Sequence, residues 1–293
     1  MKTLLKISKL FIALIGIALI AGCTEPADIN TYVKGSELET LLIVDGEMTT
    51  DTTAHHVTLT KSGNITNTGP VQVFSNAKVS ITDGSNIFNL HENPLKPGTY
   101  LTDSSVYGVP GKTYTLHISN VDLYGNGGNE TFTATSIMRK INPIDSFFIS
   151  IIKIGKYPSW IIDLWSIDIG GGLNYYLPKA YKNDTLLTDS IHKYNTADNE
   201  GFMGQEFGGL PAIQLSERIT ENILRRGDKV TLELDGITVD YYNFINAFID
   251  QYTPKSPLFS GPSANVPTNI YPSSEATGFF AVYSIQRNSR VYK

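Results

Sequence analysis

Apolar and polar residues alternate in short segments over the first half of the chain, with turn signals between them. Residues 41–44 are apolar and end at Asp45-Gly46. Residues 55–60 alternate, with Val57 and Leu59 on one face, and residues 78–82 alternate before Asp83-Gly84. That dipeptide predicts a hairpin whose return strand is residues 87–90. Pro97-Gly98 precedes Thr99-Tyr100-Leu101, and Gly111 precedes residues 112–119. There Tyr114, Leu116 and Ile118 share one face, and Thr113, Thr115 and His117 the other. A Gly/Asn-rich loop at 122–130 leads into a last segment at 131–135. Seven short strands at this spacing predict an immunoglobulin-like β-sandwich over residues 39–140.

The pattern changes after Asn142-Pro143, which marks a boundary near residue 140. Longer apolar strands are expected at 144–154 and 160–169, the second broken by Gly170-Gly171-Gly172, and another strand at 175–181. Residues 183–211 read as a long loop with short strands. A clean strand at 229–234 follows the Gly227-Asp228 turn. Tyr241, Phe244, Ile245, Phe248, Ile249 and Tyr252 then fall at helical spacing. They predict one amphipathic helix at 239–252, with Asp240 suited to the dipole of its first turn and Pro254 beyond its end. Residues 253–277 read as a long ordered loop and 279–285 as a final strand. The fold class is therefore mainly β: a sandwich, then a second β-rich domain over 141–293 carrying one helix.

The N-terminus has a different pattern. Lys2, Lys6 and Lys9 precede an uninterrupted apolar run at 10–21, and Ile20-Ala21-Gly22 leads into Cys23, the single cysteine. A spanning helix needs about 20 apolar residues, so the run fits the core of a signal peptide. The arrangement resembles a bacterial lipoprotein signal: residues 1–22 are removed and Cys23 carries palmitate and other acyl chains. Residues 23–38 then read as a flexible tether. With Cys23 lipidated, disulfides and cysteine-based metal sites are excluded. Removing residues 1–22 takes away three lysines and no acids, moving the formal net charge from −5 to −8. An acidic chain without a Lys/Arg cluster is not built to neutralise phosphates, so no nucleic-acid partner is expected.

Candidate chemistry is sparse. His55-His56 are adjacent, so on a strand they point to opposite faces and cannot chelate one ion unaided; they read as an exposed strand start. Asp122, Asn126, Asn129 and Glu130 are hard oxygen ligands, but without EF-hand spacing, and read as a plain loop. Ser150 and Lys153 match a Ser-x-x-Lys pattern that a strand would split between faces. Arg226-Gly227-Asp228 reads as a turn before a strand. Asp51-Thr52-Thr53, Asp184-Thr185-Leu186 and Asp189-Ser190-Ile191 resemble a Bacteroidota O-glycosylation pattern. No nucleophile elbow, His-Glu-x-x-His or phosphate loop is present. No metal or cofactor site is expected. The chain has 16 tyrosines, which offer flat apolar faces with a polar tip to sugars and peptides. Tyr194, Tyr241, Tyr242 and Tyr271 are the candidate ligand-binding residues, among the loops at 183–211 and 253–277 beside the helix.

Several ordered stretches carry a wider resemblance. They are Leu42-Ile43-Val44-Asp45-Gly46, Val57-Thr58-Leu59-Thr60-Lys61-Ser62, Ala77-Lys78-Val79 with Thr82-Asp83-Gly84, and Pro97-Gly98-Thr99-Tyr100. Gly111-Lys112-Thr113-Tyr114-Thr115-Leu116 and Gly227-Asp228-Lys229-Val230 follow. The last are Pro262-Ser263-Ala264-Asn265-Val266-Pro267-Thr268-Asn269-Ile270 and Gly278-Phe279-Phe280. Together they resemble a family of Bacteroidota outer-membrane lipoproteins catalogued as domain-of-unknown-function family 4249. The resemblance implies an envelope lipoprotein often encoded beside TonB-dependent transporters, and no catalytic residues. The expected function is a non-enzymatic lipoprotein, anchored in the outer membrane through Cys23 and facing the cell exterior. It would act as a binding or accessory subunit for a TonB-dependent barrel, with a glycan or peptide ligand. A structural or adhesive surface protein, or a hydrolase without a recognisable motif, are the alternatives.

Overall fold

The computed structural model describes residues 40–63, 70–168, 170–252 and 266–293. The signal segment, Cys23, the tether and residues 253–265 of the expected loop lie outside the described residues. Strands β1 (Leu42–Thr49), β2 (His56–Lys61), β3 (Lys78–Thr82), β4 (Ile87–Glu92), β5 (Thr99–Leu101), β6 (Thr113–Val121) and β7 (Glu130–Ile137) occupy the seven expected segments. They pair in the orders β1-β2-β5-β4 and β3-β6-β7, the strand order of an immunoglobulin-like sandwich. β4 serves both layers: its first residues pair with β3, and His91 and Glu92 pair with β5.

Alternation decides which side chains enter this core. Leu42, Val44 and Met48 of β1 and Val57 and Leu59 of β2 meet Leu116, Ile118 and Phe132 of the other layer. The buried Tyr100 hydroxyl donates to Phe74 O at 2.7 Å and accepts from Ala77 N at 2.9 Å. Its polar tip is thus satisfied inside the core. On the opposite face of β6, Thr113 and His117 are exposed.

The second half builds two more layers. β8 (Ile144–Ile154), β9 (Tyr157–Ile167) and β13 (Glu206–Ser216) form a three-stranded antiparallel sheet in the order β13-β9-β8. β10 (Tyr175–Lys182), β14 (Lys229–Ile237) and β16 (Ala276–Val291) form the facing layer. β11 (Thr185–Leu186) and β12 (Ala197–Asp198) lie along β10, and β15 (Ile270–Tyr271) pairs with β7. Helix α1 (Val239–Tyr252) covers the far side of the β10-β14-β16 layer. Thr238 caps it, its Oγ1 accepting from Tyr241 N at 3.2 Å. Two expectations need correction. The loop expected at 183–211 gives way to β13 at residue 206, and the final strand is far longer than 279–285.

β16 ties the halves together. It runs parallel to β1, with Val44 opposite Gly278, and antiparallel to β14, with Glu233 opposite Arg287. Phe280 and Val282 enter the sandwich core, while Phe279, Ala281 and Tyr283 enter the core beneath α1. Farther on, Asn288 and Arg290 donate to the Ile144 and Phe147 carbonyls of β8. Met138 belongs to the sandwich core and Ile141 packs on the next cluster. The sheet does not break there, and residues 40–293 form one compact unit.

Asn269 closes the gap between β7 and β16. Its Nδ2 donates to Phe280 O at 2.8 Å and Thr135 O at 3.3 Å, and its Oδ1 accepts from Phe280 N at 2.9 Å. One side-chain amide thus replaces a missing strand. Asn269→Ala leaves these groups without it and is expected to cost about 2–3 kcal/mol. A urea titration checks this; a midpoint within error of the parent's would show that the clip contributes nothing.

Candidate functional site

Polar residues at alternate positions of β10, β14, β16 and β1 form a charged row on the sheet face against which α1 packs at one end. Lys179 of β10 lies opposite Glu233 of β14, which lies opposite Arg287 of β16. The Lys179 ammonium is 2.8 Å from Asp235 Oδ2 and 3.5 Å from Glu233 Oε1, and donates to the Tyr283 hydroxyl at 3.1 Å. Tyr283 in turn donates to Glu47 Oε2 at 2.6 Å. Tyr181 donates to Glu233 at 3.0 Å, and Arg287 binds Asp51 through two bonds of 2.9 and 2.7 Å. The row grades from inside to outside: the Asp235 side chain is 0 % exposed, Glu47 is 41 % and Asp45 is 80 %. At the outer end His56 lies 4.0 Å from Asp45 and 3.7 Å from Glu47.

The row is acid-rich: Asp45, Glu47, Asp51, Glu233 and Asp235 outnumber Lys179 and Arg287. Burial pushes the Asp235 carboxyl above the usual carboxylate range, against the opposing pull of Lys179. Burial alone would lower the Lys179 pKa, but the facing acids, Asp235 first, raise it, so the ammonium stays charged. Burial also keeps the Tyr283 and Tyr241 hydroxyls protonated. Among the described residues no group of three His, Cys, Asp or Glu is arranged to hold a metal ion.

A second buried carboxylate organises the loops. Asp168 accepts from Gly204 N at 2.6 Å, Gly170 N at 3.0 Å, Asn142 Nδ2 at 3.1 Å and the Tyr176 hydroxyl at 3.0 Å. Burial would raise its pKa, but these bonds outweigh it and bring it to about 2. Because the folded value lies below the unfolded one, its contribution is complete above about pH 4 and lost as pH falls towards 2. The contribution at pH 7 is about 2 kcal/mol. Asp168→Asn is expected to lose about that much and to flatten the stability profile between pH 4 and 2. Urea midpoints across that range check it; a variant profile parallel to the parent's would contradict the assignment.

Residues 25–289 match the family described as Domain of unknown function (DUF4249). The chain belongs to this family. The match agrees with the resemblance carried by the ordered stretches. No curated protein matches the chain. Several of this DUF4249 chain's stretches have structural duties: Thr268 and Asn269 bind β16, and Gly278 lies against Val44.

The sequence-predicted site residues scatter. Cys23 lies outside the described residues. Tyr194, Tyr241 and Tyr242 all pack into the core beneath α1. There Tyr241 lies 5.0 Å from the Phe279 ring and Tyr242 4.8 Å from the Tyr175 ring. Tyr271 does not join them; it is exposed beside Pro272 and Glu130. The two histidines do face opposite ways, but His55 is buried rather than exposed. Its Nδ1 accepts from Thr49 N at 3.4 Å and its Nε2 donates to Val106 O at 3.2 Å. Asp122 accepts from the Asn126 and Gly127 amides, so the loop's own backbone occupies its oxygens. Ser150 donates to Asp163 at 2.8 Å. Asp228 binds Arg225 N within the turn before β14. Thr52 and Thr185 are exposed and Ser190 is half-buried. Sequence reasoning missed Lys179, Glu233, Asp235 and Asp168. Their one legible signal is alternation, which reads the same whether the polar face meets water or a helix.

Proposed function

We propose that this DUF4249 protein is a non-enzymatic lipoprotein of the outer membrane, displayed to the exterior, that serves a TonB-dependent transporter as a binding or accessory subunit. The observation that carries the reading is the basic start, the apolar run at 10–21 and the small residues before Cys23. Acyl chains hold a protein through about 0.8 kcal/mol per buried CH₂, so several chains on one cysteine anchor it stably. Among the described residues no helix is long and apolar enough to cross a membrane.

Cys23→Ser is expected to abolish incorporation of a palmitate analogue and move most of the protein out of the membrane fraction. Labelling and fractionation of cells expressing both forms check it; equal membrane retention would remove the lipoprotein reading. The accessory role is tested by pulling the tagged native protein from membranes in mild detergent. A stoichiometric TonB-dependent barrel among its partners is the expected result, and recovery with no barrel protein would count against it.

A further inference from the structure

A cavity of about 540 Å³ lies between β13, Pro178 in the middle of β10 and the turns at 187–195 and 219–222. Its size falls in the range of ligand sites. Leu187, Ile213, Leu215 and Ile219 give it an aliphatic lining, and Asn195 and Asn222 give it amides.

Three observations define the ligand. Ile213, Gln214 and Leu215 all line the cavity, yet they are consecutive on a strand. Successive side chains point to opposite faces, so the strand's edge, not one face, borders the space. Among the described residues β13 pairs with β9 alone, as an edge strand. The backbone groups of these three residues that point away from β9 have no hydrogen-bond partner among the described residues. Second, Asn222 is 7 % exposed, and its side-chain amide has no hydrogen-bond partner among the described residues. The amide carries N–H donors and a carbonyl acceptor side by side, so it can meet the C=O and N–H of a peptide unit. Third, Lys193 is the one formally charged lining residue, balanced by Asp189 at 2.6 Å, and no carboxylate lines the cavity. The site thus matches a neutral or anionic ligand. The one aromatic ring in the lining, His192, is already stacked on Tyr252 at 5.1 Å. An aliphatic side chain fits this lining better than a sugar, which favours open aromatic faces.

We propose that this cavity binds a short extended peptide that adds a strand to the open edge of β13. An aliphatic side chain enters between Leu187, Ile213, Leu215 and Ile219. Asn222 holds a peptide unit, and a free terminal carboxylate reaches Lys193. Main-chain pairing supplies affinity and the aliphatic pocket supplies selectivity, as in other strand additions. The site lies within the folded unit and does not depend on the membrane reading.

The test uses the full chain purified in mild detergent. The probe is a pool of pentapeptides alternating Val or Leu with Ser or Asn and ending in a free carboxylate. Saturable binding is expected, with slowed amide hydrogen exchange over residues 212–216. Asn222→Ala should weaken it about fivefold, the worth of one hydrogen bond. N-methylating alternate peptide nitrogens should abolish it, which keeps the idea testable if Asn222→Ala does not fold. No retained pool member at millimolar peptide, protection confined to another segment, or equal binding of N-methylated peptides would overturn the proposal. So would a disaccharide pool that slows exchange at 212–216 where the peptides do not.

Discussion

Replacing Gly278 by alanine is expected to remove about 4 kcal/mol or more from the stability of the folded chain, a large share of what a domain has. Gly278 has φ +92°, a region that L side chains rarely adopt and that costs about 1–3 kcal/mol to occupy. Its position makes matters worse. An added Cβ would stand well inside contact distance of Val44 O and 2.9 Å from the Val44 backbone carbon and nitrogen. These are backbone atoms of β1, so no side chain can rotate away. β16 would have to leave β1, and that pairing joins the sandwich to the second half. Gly84 is the control: its φ is +85°, but an added Cβ there meets nothing within 4 Å. Gly84→Ala should cost only the backbone term, about 1–3 kcal/mol. Urea titrations of both variants separate strain from clash. Equal losses would show that the strands part easily, and the tie between the halves would then lie elsewhere.

The sandwich was legible because each of its strands buries one face. Val57 and Leu59, Val79 and Ile81, and Tyr114, Leu116 and Ile118 all alternate with polar residues, and all reach one core. The helix was legible for the same kind of reason, since Tyr241, Phe244, Ile245 and Ile249 repeat at its period and pack on the sheet. β13 was hidden by its own composition. Gly208-Gly209 and Pro211 interrupt alternation where its register against β9 shifts, between Phe207 and Leu210 and between Pro211 and Ile213. The far end of β16 was hidden because Arg287, Asn288, Ser289 and Arg290 are polar. They are strand residues because β14 pairs with them, a long-range cause that no local pattern carries. The same limit applies to the tyrosines: Tyr194, Tyr241 and Tyr242 converge only because α1 and the turn at 191–193 fold over one sheet face, while Tyr271 follows β15 to β7.

The charged row was illegible for a related reason, and it leads to the second large effect. β14 is buried along both faces from Val230 to Ile237. Val230, Leu232 and Leu234 meet the three-stranded sheet, which leaves Glu233 and Asp235 facing α1. Lys179→Met keeps the aliphatic stem and removes the charge, so two carboxylates that are 1 % and 0 % exposed lose their shared cation. Breaking a buried pair in this way costs about 3–5 kcal/mol. Glu233 keeps Arg287 and Tyr181, but Asp235 has no aligned hydrogen bond from a described residue on either oxygen. The loss should therefore concentrate on Asp235, and pH should reveal it. Asp235 has a raised folded pKa, so its penalty is absent below the unfolded value near 3.8 and grows as pH rises towards the folded value. Without Lys179 the folded value rises further. Parent and variant both hold Asp235 protonated below about pH 8, so Lys179→Met should cost little through it there and most in alkali above that value, where only the variant's folded Asp235 retains its proton. Lys179→Met with Asp235→Asn replaces that protonated acid by a neutral amide and should recover more than half of the loss at alkaline pH. Urea midpoints of the parent, single and double variants on both sides of that value test the argument. A loss that ignores pH, or a double variant no better than the single, would mean that Lys179 acts through packing against Tyr283, whose ring lies 4.8 Å from its ammonium.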